Sequence, residues 1–94
     1  MRYIYSVVLS PGEERGFIVE VPSLPGCVTF GETLTEALLN AEEAIEGFLE
    51  MLQDDGDPIP VEGDDVVLNV ADKREAYVRK VAVTLSGREV AKAA

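Results

Sequence analysis

Tyr3, Tyr5, Val7 and Leu9 alternate with Ile4, Ser6 and Val8. A period of two is the mark of a strand, and both faces here are mostly apolar, which predicts a strand in the interior of a sheet. The stretch Ser10-Pro-Gly-Glu-Glu-Arg-Gly16 is rich in turn formers and closes a hairpin. Strand character resumes from Phe17 to Val21, with Phe17, Val19 and Val21 on one face and Ile18 and Glu20 on the other. Pro22 and Pro25 then remove two backbone donors, and Pro25-Gly26 is a strong turn dipeptide, so the ladder has to stop. Cys27 to Phe30, closed by Gly31, reads as a short third strand.

The period then changes from two to between three and four. Leu34, Ala37, Leu38, Ala41, Ile45, Phe48, Leu49 and Leu52 form one apolar stripe on a helix. Thr33 and Glu36 have the spacing of a capping box, in which the threonine oxygen takes the N–H three residues on and the glutamate reaches back. The helix is expected to end near Gln53, because Asp54-Asp55-Gly56-Asp57-Pro58 is a poor continuation. Beyond it, Pro58-Ile59-Pro60 is expected to be extended and Val66 to Val70 to be a fourth strand. Ala71 to Ala76 is a polar connection. Tyr77 to Leu85 is a fifth strand, with Tyr77, Arg79, Val81, Val83 and Leu85 on one face. Ser86-Gly87 suits the cap of a short terminal helix, Arg88 to Ala93. The order β-β-β-α-β-β predicts an α+β domain. Residues 1–70 form its body, and residues 71–94 a strand and helix extension better suited to dimerisation than to a domain of its own.

Composition narrows the chemistry. The 94 residues hold no histidine and one cysteine, Cys27. Histidine-based acid–base sites, Ser-His-Asp and Cys-His nucleophiles, an internal disulfide and a cysteine zinc site are therefore excluded for this sequence. A chain this short buries only about 60% of its unfolded surface, so help from a partner or an oligomer is expected. No apolar run approaches the length of a membrane span, and a cytoplasmic location is expected. Charge is uneven. Residues 1–60 hold Arg2 and Arg15 against twelve acids, whereas residues 61–94 balance six bases with six acids, and the formal net charge is −10. Such a body repels nucleic acid and attracts basic partners.

Candidate sites are few. The run Asp54, Asp55, Asp57 fails as a calcium loop, because Pro58, Pro60 and Val61 fall at its fifth, seventh and eighth places; it reads as a polar helix stop. Cys27 has no histidine to activate it and reads as a small buried hydrophobe. The glycines form no phosphate loop. Glu42, Glu43, Glu46 and Glu50 lie off the apolar stripe of the helix and are candidate docking acids for a basic protein. Tyr77, Arg79, Lys80, Val81 and Val83 are candidates for a dimer strand or a DNA-reading strand, as in a ribbon-helix-helix unit. Only a short tail follows that strand, which disfavours DNA.

The sequence V-P-S-L-P-G-C-V-T-F-G-E-T-L-T-E-A-L-L-N-A-E-E-A-I, followed after the helix by D-G-D-P-I-P, closely resembles the HicB family, the antitoxin halves of HicA–HicB toxin–antitoxin pairs. The resemblance covers about residues 1–70. Pro22, Leu24, Pro25 and Gly26 match its L-P-G turn, and Gly31, Thr33 and Glu36 its G-D-T-x-x-E-A helix entry, with Glu32 where Asp is usual. Ser23 stands where Asp is frequent, and Pro58 and Pro60 match its P-I-P. These are fold-defining positions.

The resemblance implies a partial ribonuclease H-like fold and a binding function without enzymatic activity, metal or cofactor. The partner it implies is a small basic HicA-type toxin that cleaves mRNA, neutralised by masking of its active site. Many family members carry a complete DNA-binding domain at the C-terminus; the short tail here makes operator binding an unfavoured expectation. The alternative is a stand-alone homo-oligomeric binding or structural module, and a homodimer or higher oligomer is expected in either case. A metal-dependent nuclease is a third class, disfavoured because the first strand holds neither Asp nor Glu.

Overall fold

The computed structural model describes residues 2–63 and 76–85. The strand expected at Val66–Val70, nearly all of the connection that follows it and the terminal helix expected at Arg88–Ala93 lie outside these residues. The described elements are β1 (Arg2–Pro11), β2 (Phe17–Glu20), β3 (Val28–Gly31), α1 (Leu34–Asp55) and β4 (Tyr77–Thr84). They form one antiparallel sheet in the order β3-β2-β1-β4, with α1 packed on one face.

The doubly apolar pattern of β1 is explained by its place in the sheet. It lies between β2 and β4, and Tyr5 through Ser10 are all buried. Its pairing is unequal on the two sides. Against β4 it pairs along eight positions, from Arg2↔Thr84 to Leu9↔Tyr77. Against β2 it pairs only from Val8↔Glu20 to Pro11↔Phe17. β2 itself pairs with β1 only from Val8 onward, because Pro22 turns the chain away after β2.

The core is the contact between the odd-numbered face of the sheet and the predicted helix stripe. Ala37, Ala41, Ile45 and Leu49 of α1 are buried against Tyr5, Val7, Leu9, Val19, Val81 and Val83. Leu34, Leu38, Phe48 and Leu52 flank them, partly buried. The small residues Ala37 and Ala41 let the helix approach closely, and Gly31 completes that approach. A Cβ on Gly31 would collide with the backbone nitrogen and Cα of Ala37.

Both helix ends are closed. Thr33 sits in an extended conformation, and its Oγ1 accepts the Glu36 N–H at 3.0 Å. The Glu36 carboxylate reaches back one residue further than a capping box requires and accepts the Glu32 N–H. At the other end the helix runs to Asp55, two residues past the expected stop at Gln53. Gly56, with φ of 76°, ends it: the Gly56 N–H donates to the Gln53 carbonyl and the Asp57 N–H to the Leu52 carbonyl. This is the Schellman arrangement, and the residue able to adopt a left-handed conformation sets the boundary rather than the weak helix formers before it.

Candidate functional site

The L-P-G turn is a compact knot between β2 and β3. Leu24 is fully buried, its N–H donates to the Val21 carbonyl, and the Cys27 N–H donates back to the Leu24 carbonyl. Gly26 takes a φ of 94°, which a side chain would resist. Pro22 is half-buried and Pro25 exposed. Cys27 is buried, and burial pushes its thiol pKa up, which suits the small hydrophobe expected of it. Gly31, Thr33 and Glu36 carry the close approach and the cap described above.

After α1 the chain runs through Pro58-Ile-Pro60 without regular secondary structure and passes beside β1 at Tyr5 and Ser6, ahead of the stretch that pairs with β2. Ile59 packs against the core, and the buried Tyr5 hydroxyl donates to the Pro60 carbonyl. Burial, with Tyr3 and Glu62 nearby, raises the Tyr5 pKa to about 12, so it stays a neutral donor.

Two residues further on, Glu62 takes the β1 backbone donor at Ser6 that β2 does not reach. Its carboxylate accepts the Ser6 N–H at 2.7 Å, the Ser6 hydroxyl at 2.7 Å and the Ser23 hydroxyl at 3.1 Å. Lys80 of β4, paired with Ser6 across the sheet, donates to the same carboxylate at 2.8 Å. The Glu62 side chain is 3% exposed, that of Lys80 64%. Burial by itself would raise the Glu62 pKa; the bonds from Lys80, Ser6 and Ser23 outweigh it and lower the value from 4.5 to about 2. One carboxylate thus joins β1, the L-P-G turn, β4 and the segment after the helix. Sequence reasoning missed Glu62, because an acid after P-I-P-V carries no local pattern.

The candidate docking acids occupy a different setting. Glu42, Glu43 and Glu46 are exposed on α1 and Glu50 is half-exposed, all away from the buried stripe. Exposed Asp54, Asp55 and Asp57 extend the negative surface past the helix end. No described group of three or more His, Cys, Asp or Glu side chains is placed to hold a metal ion. No described helix is long and apolar enough to cross a membrane.

The candidate strand residues lie on both faces of β4. Val81 and Val83 are in the core. Arg79 lies over the Tyr77 ring at 5.6 Å and donates to the Val78 carbonyl at 3.1 Å. Lys80 is bound to Glu62 on the opposite face. One side of the strand is already paired with β1 of the same chain.

A four-stranded antiparallel sheet carrying one long helix is the architecture of HicB antitoxin N-terminal domains. The fold superposes on a chain of the HicA3 and HicB3 toxin–antitoxin complex with a TM-score of 0.67 at 28% identity, covering 86% of this chain and 98% of that one. It superposes on the N-terminal domain of the Burkholderia pseudomallei antitoxin HicB with a TM-score of 0.68 at 28% identity, covering 87% and 99%.

The family pattern described as "HicB_like antitoxin of bacterial toxin-antitoxin system" matches residues 5–90, and the chain belongs to that family. Its relatives include a UPF0150 protein of Thermoplasma acidophilum, 43% identical over 56 residues that make up 60% of this chain and 81% of that protein. Antitoxin HicB 1 of Photorhabdus laumondii is 39% identical over 75 residues, 73% of this chain but only 48% of that longer protein.

Proposed function

We propose that this chain is the antitoxin half of a pair, binding a small basic HicA-type mRNA-cleaving toxin in the cytoplasm and masking its active site without catalysis of its own. The observation that carries the reading is the row of exposed carboxylates on α1, Glu42, Glu43 and Glu46, on a face that the core does not use. The family membership and the likeness to a chain of a HicA3–HicB3 complex support it. A carboxylate surface on a chain of formal net charge −10 steers a basic partner and competes for the cations that would otherwise hold RNA. The partial ribonuclease H-like arrangement belongs to the same reading. Since β1, Arg2–Pro11, contains neither Asp nor Glu, such a fold would serve here as a binding scaffold rather than a metal-dependent nuclease.

The test is a titration of a purified HicA-type toxin encoded beside this gene, by calorimetry over a range of salt, against the native chain and the triple variant Glu42→Lys, Glu43→Lys, Glu46→Lys. Stoichiometric binding that weakens with salt and falls at least about tenfold in the variant is expected, with toxin RNase activity lost on binding of the native chain. Equal affinity of the two chains would remove the helix face from the proposal, and no binding to the neighbouring toxin would remove the antitoxin reading itself.

A further inference from the structure

A groove of about 280 Å³ runs between the start of β3 and the second half of α1. Cys27 and Val28 wall it from the sheet side, and Ala44, Gly47, Phe48 and Met51 from the helix. β3 and β4 are the two ends of the described sheet, so this groove lies on the flank of α1 away from β4. None of the described residues lining it is charged, and two of its apolar side chains stand well into solvent, Val28 at 58% and Met51 at 48% exposed.

Gly47 is the residue in this groove that the fold does not explain. Gly26, on the opposite wall, has a φ of 94°, and the L-P-G turn needs it. Gly31 is needed for the close approach of β3 and α1. Gly47 has neither reason. It lies inside α1 without a positive φ, where glycine is the poorest helix former after proline. It is exposed, and a Cβ there would meet no described atom within 4 Å. A glycine that neither backbone nor packing demands leaves bare helix backbone for something outside the chain to approach.

From these features we infer that the groove seats an apolar side chain of the basic toxin, laid against the helix at Gly47, with a Lys or Arg of the same toxin segment on Glu43. The inference rests on the antitoxin reading and deepens it: the helix acids steer the partner, and the groove holds it. Charge selects the occupant. Glu43 stands one helical turn before Gly47 on the same side of α1, and Glu46 directly precedes Gly47; both are exposed. A second copy of this chain, of formal net charge −10, would bring its own acids to that rim, whereas a basic segment is drawn to it. A seated apolar anchor carries much of the energy of an interface, and a charged rim sets the choice of partner and the rate of encounter.

Calorimetry of the purified HicA-type toxin encoded beside this gene, against the full chain and two variants at low and at high salt, tests the inference, with a thermal melt of each chain. Gly47→Gln puts a neutral side chain where the toxin's would sit and replaces glycine by a better helix former. It is expected to raise Tm by about 3 °C and to weaken toxin binding at least about tenfold. Met51→Gln keeps helix propensity and removes an apolar wall from an exposed position, and a loss of about fivefold is expected. Because the seat is apolar, both losses are expected to be as large at high salt as at low salt, unlike that of the Glu42, Glu43, Glu46 variant. A toxin that binds the native chain and Gly47→Gln equally, or a Gly47→Gln loss that vanishes at high salt, would overturn the groove and leave the antitoxin reading standing. A toxin that does not bind the native chain would remove both.

Discussion

Two kinds of carboxylate occur in this small domain, and they do opposite work. Glu62 is almost fully enclosed, accepts bonds from a backbone N–H, two hydroxyls and an ammonium, and has its pKa lowered to about 2. Glu42, Glu43 and Glu46 stand in solvent on α1. The buried acid is satisfied by the chain itself and is spent on stability. The exposed acids have no role in the core, and on the proposed reading they are held for a partner. Acidity in this protein is therefore two properties, and replacing one residue of each kind separates them.

The largest effect is expected at Glu62. Glu62→Ala leaves the Ser6 N–H and both hydroxyls without their acceptor, while the exposed Lys80 turns to water, and the orphaned donors together cost about 3 kcal/mol. For a domain near this size that lowers Tm by well over 10 °C, by the usual ~4–8 °C for each kcal/mol. The native chain carries the same information in its pH dependence. Because the folded pKa of about 2 lies below the ordinary 4.5, the unfolded chain binds the proton more tightly. The stabilisation from Glu62 is thus complete above about pH 5 and is withdrawn as pH falls from 4.5 towards 2. Denaturant melts at stepped pH are expected to show a steep acid limb in the native chain and a shallower one in Glu62→Gln. Parallel limbs would mean that Glu62 is not the group that titrates.

These two regions were unequally legible in the sequence, for a physical reason. The helix acids could be placed from periodicity alone, since the stripe from Leu34 to Leu52 says which side is buried, and the burial of Ala37, Ala41, Ile45 and Leu49 agrees. The strand faces of β1, β2 and β4 were legible in the same way, each element reporting on itself through its own period. Glu62 could not be found so. Its partners lie 56, 39 and 18 residues away in the chain, and they converge where β2 has ended and no longer pairs with β1. The helix end shows the same on a smaller scale: it lies two residues past the expected Gln53 because the Gly56 and Asp57 hydrogen bonds decide it, not the propensity of Asp54 and Asp55.

Lys80 gives an intermediate test. Its ammonium touches Glu62 from a side chain that is 64% exposed, so solvent screens the pair and water can replace it. Lys80→Met is expected to cost only about 1 kcal/mol at neutral pH. It also removes one of the bonds that hold the Glu62 pKa down, so the folded pKa should rise towards 4.5 and the acid limb of stability become shallower, and nuclear magnetic resonance of the Glu62 carboxyl would report the rise directly. A Lys80→Met chain with an acid limb as steep as the native one would assign the lowered pKa to Ser6 and Ser23 alone.

The smallest effect is expected to have the opposite sign. Glu46 stands four residues from Glu42 and from Glu50 and three from Glu43, and like charges at these spacings destabilise a helix by a few tenths of a kcal/mol for each pair. Glu46→Gln keeps the size and helix propensity of the side chain while removing that repulsion, so it is expected to stabilise the fold by roughly 0.5 kcal/mol at low salt and by less at high salt. On the proposed reading the same substitution weakens toxin binding. Calorimetry and denaturant melts on one sample would show whether stability rises as affinity falls. If Glu46→Gln instead destabilised the fold as Glu62→Gln does, the division between an acid kept for the fold and acids kept for a partner would fail at the residue chosen to represent it.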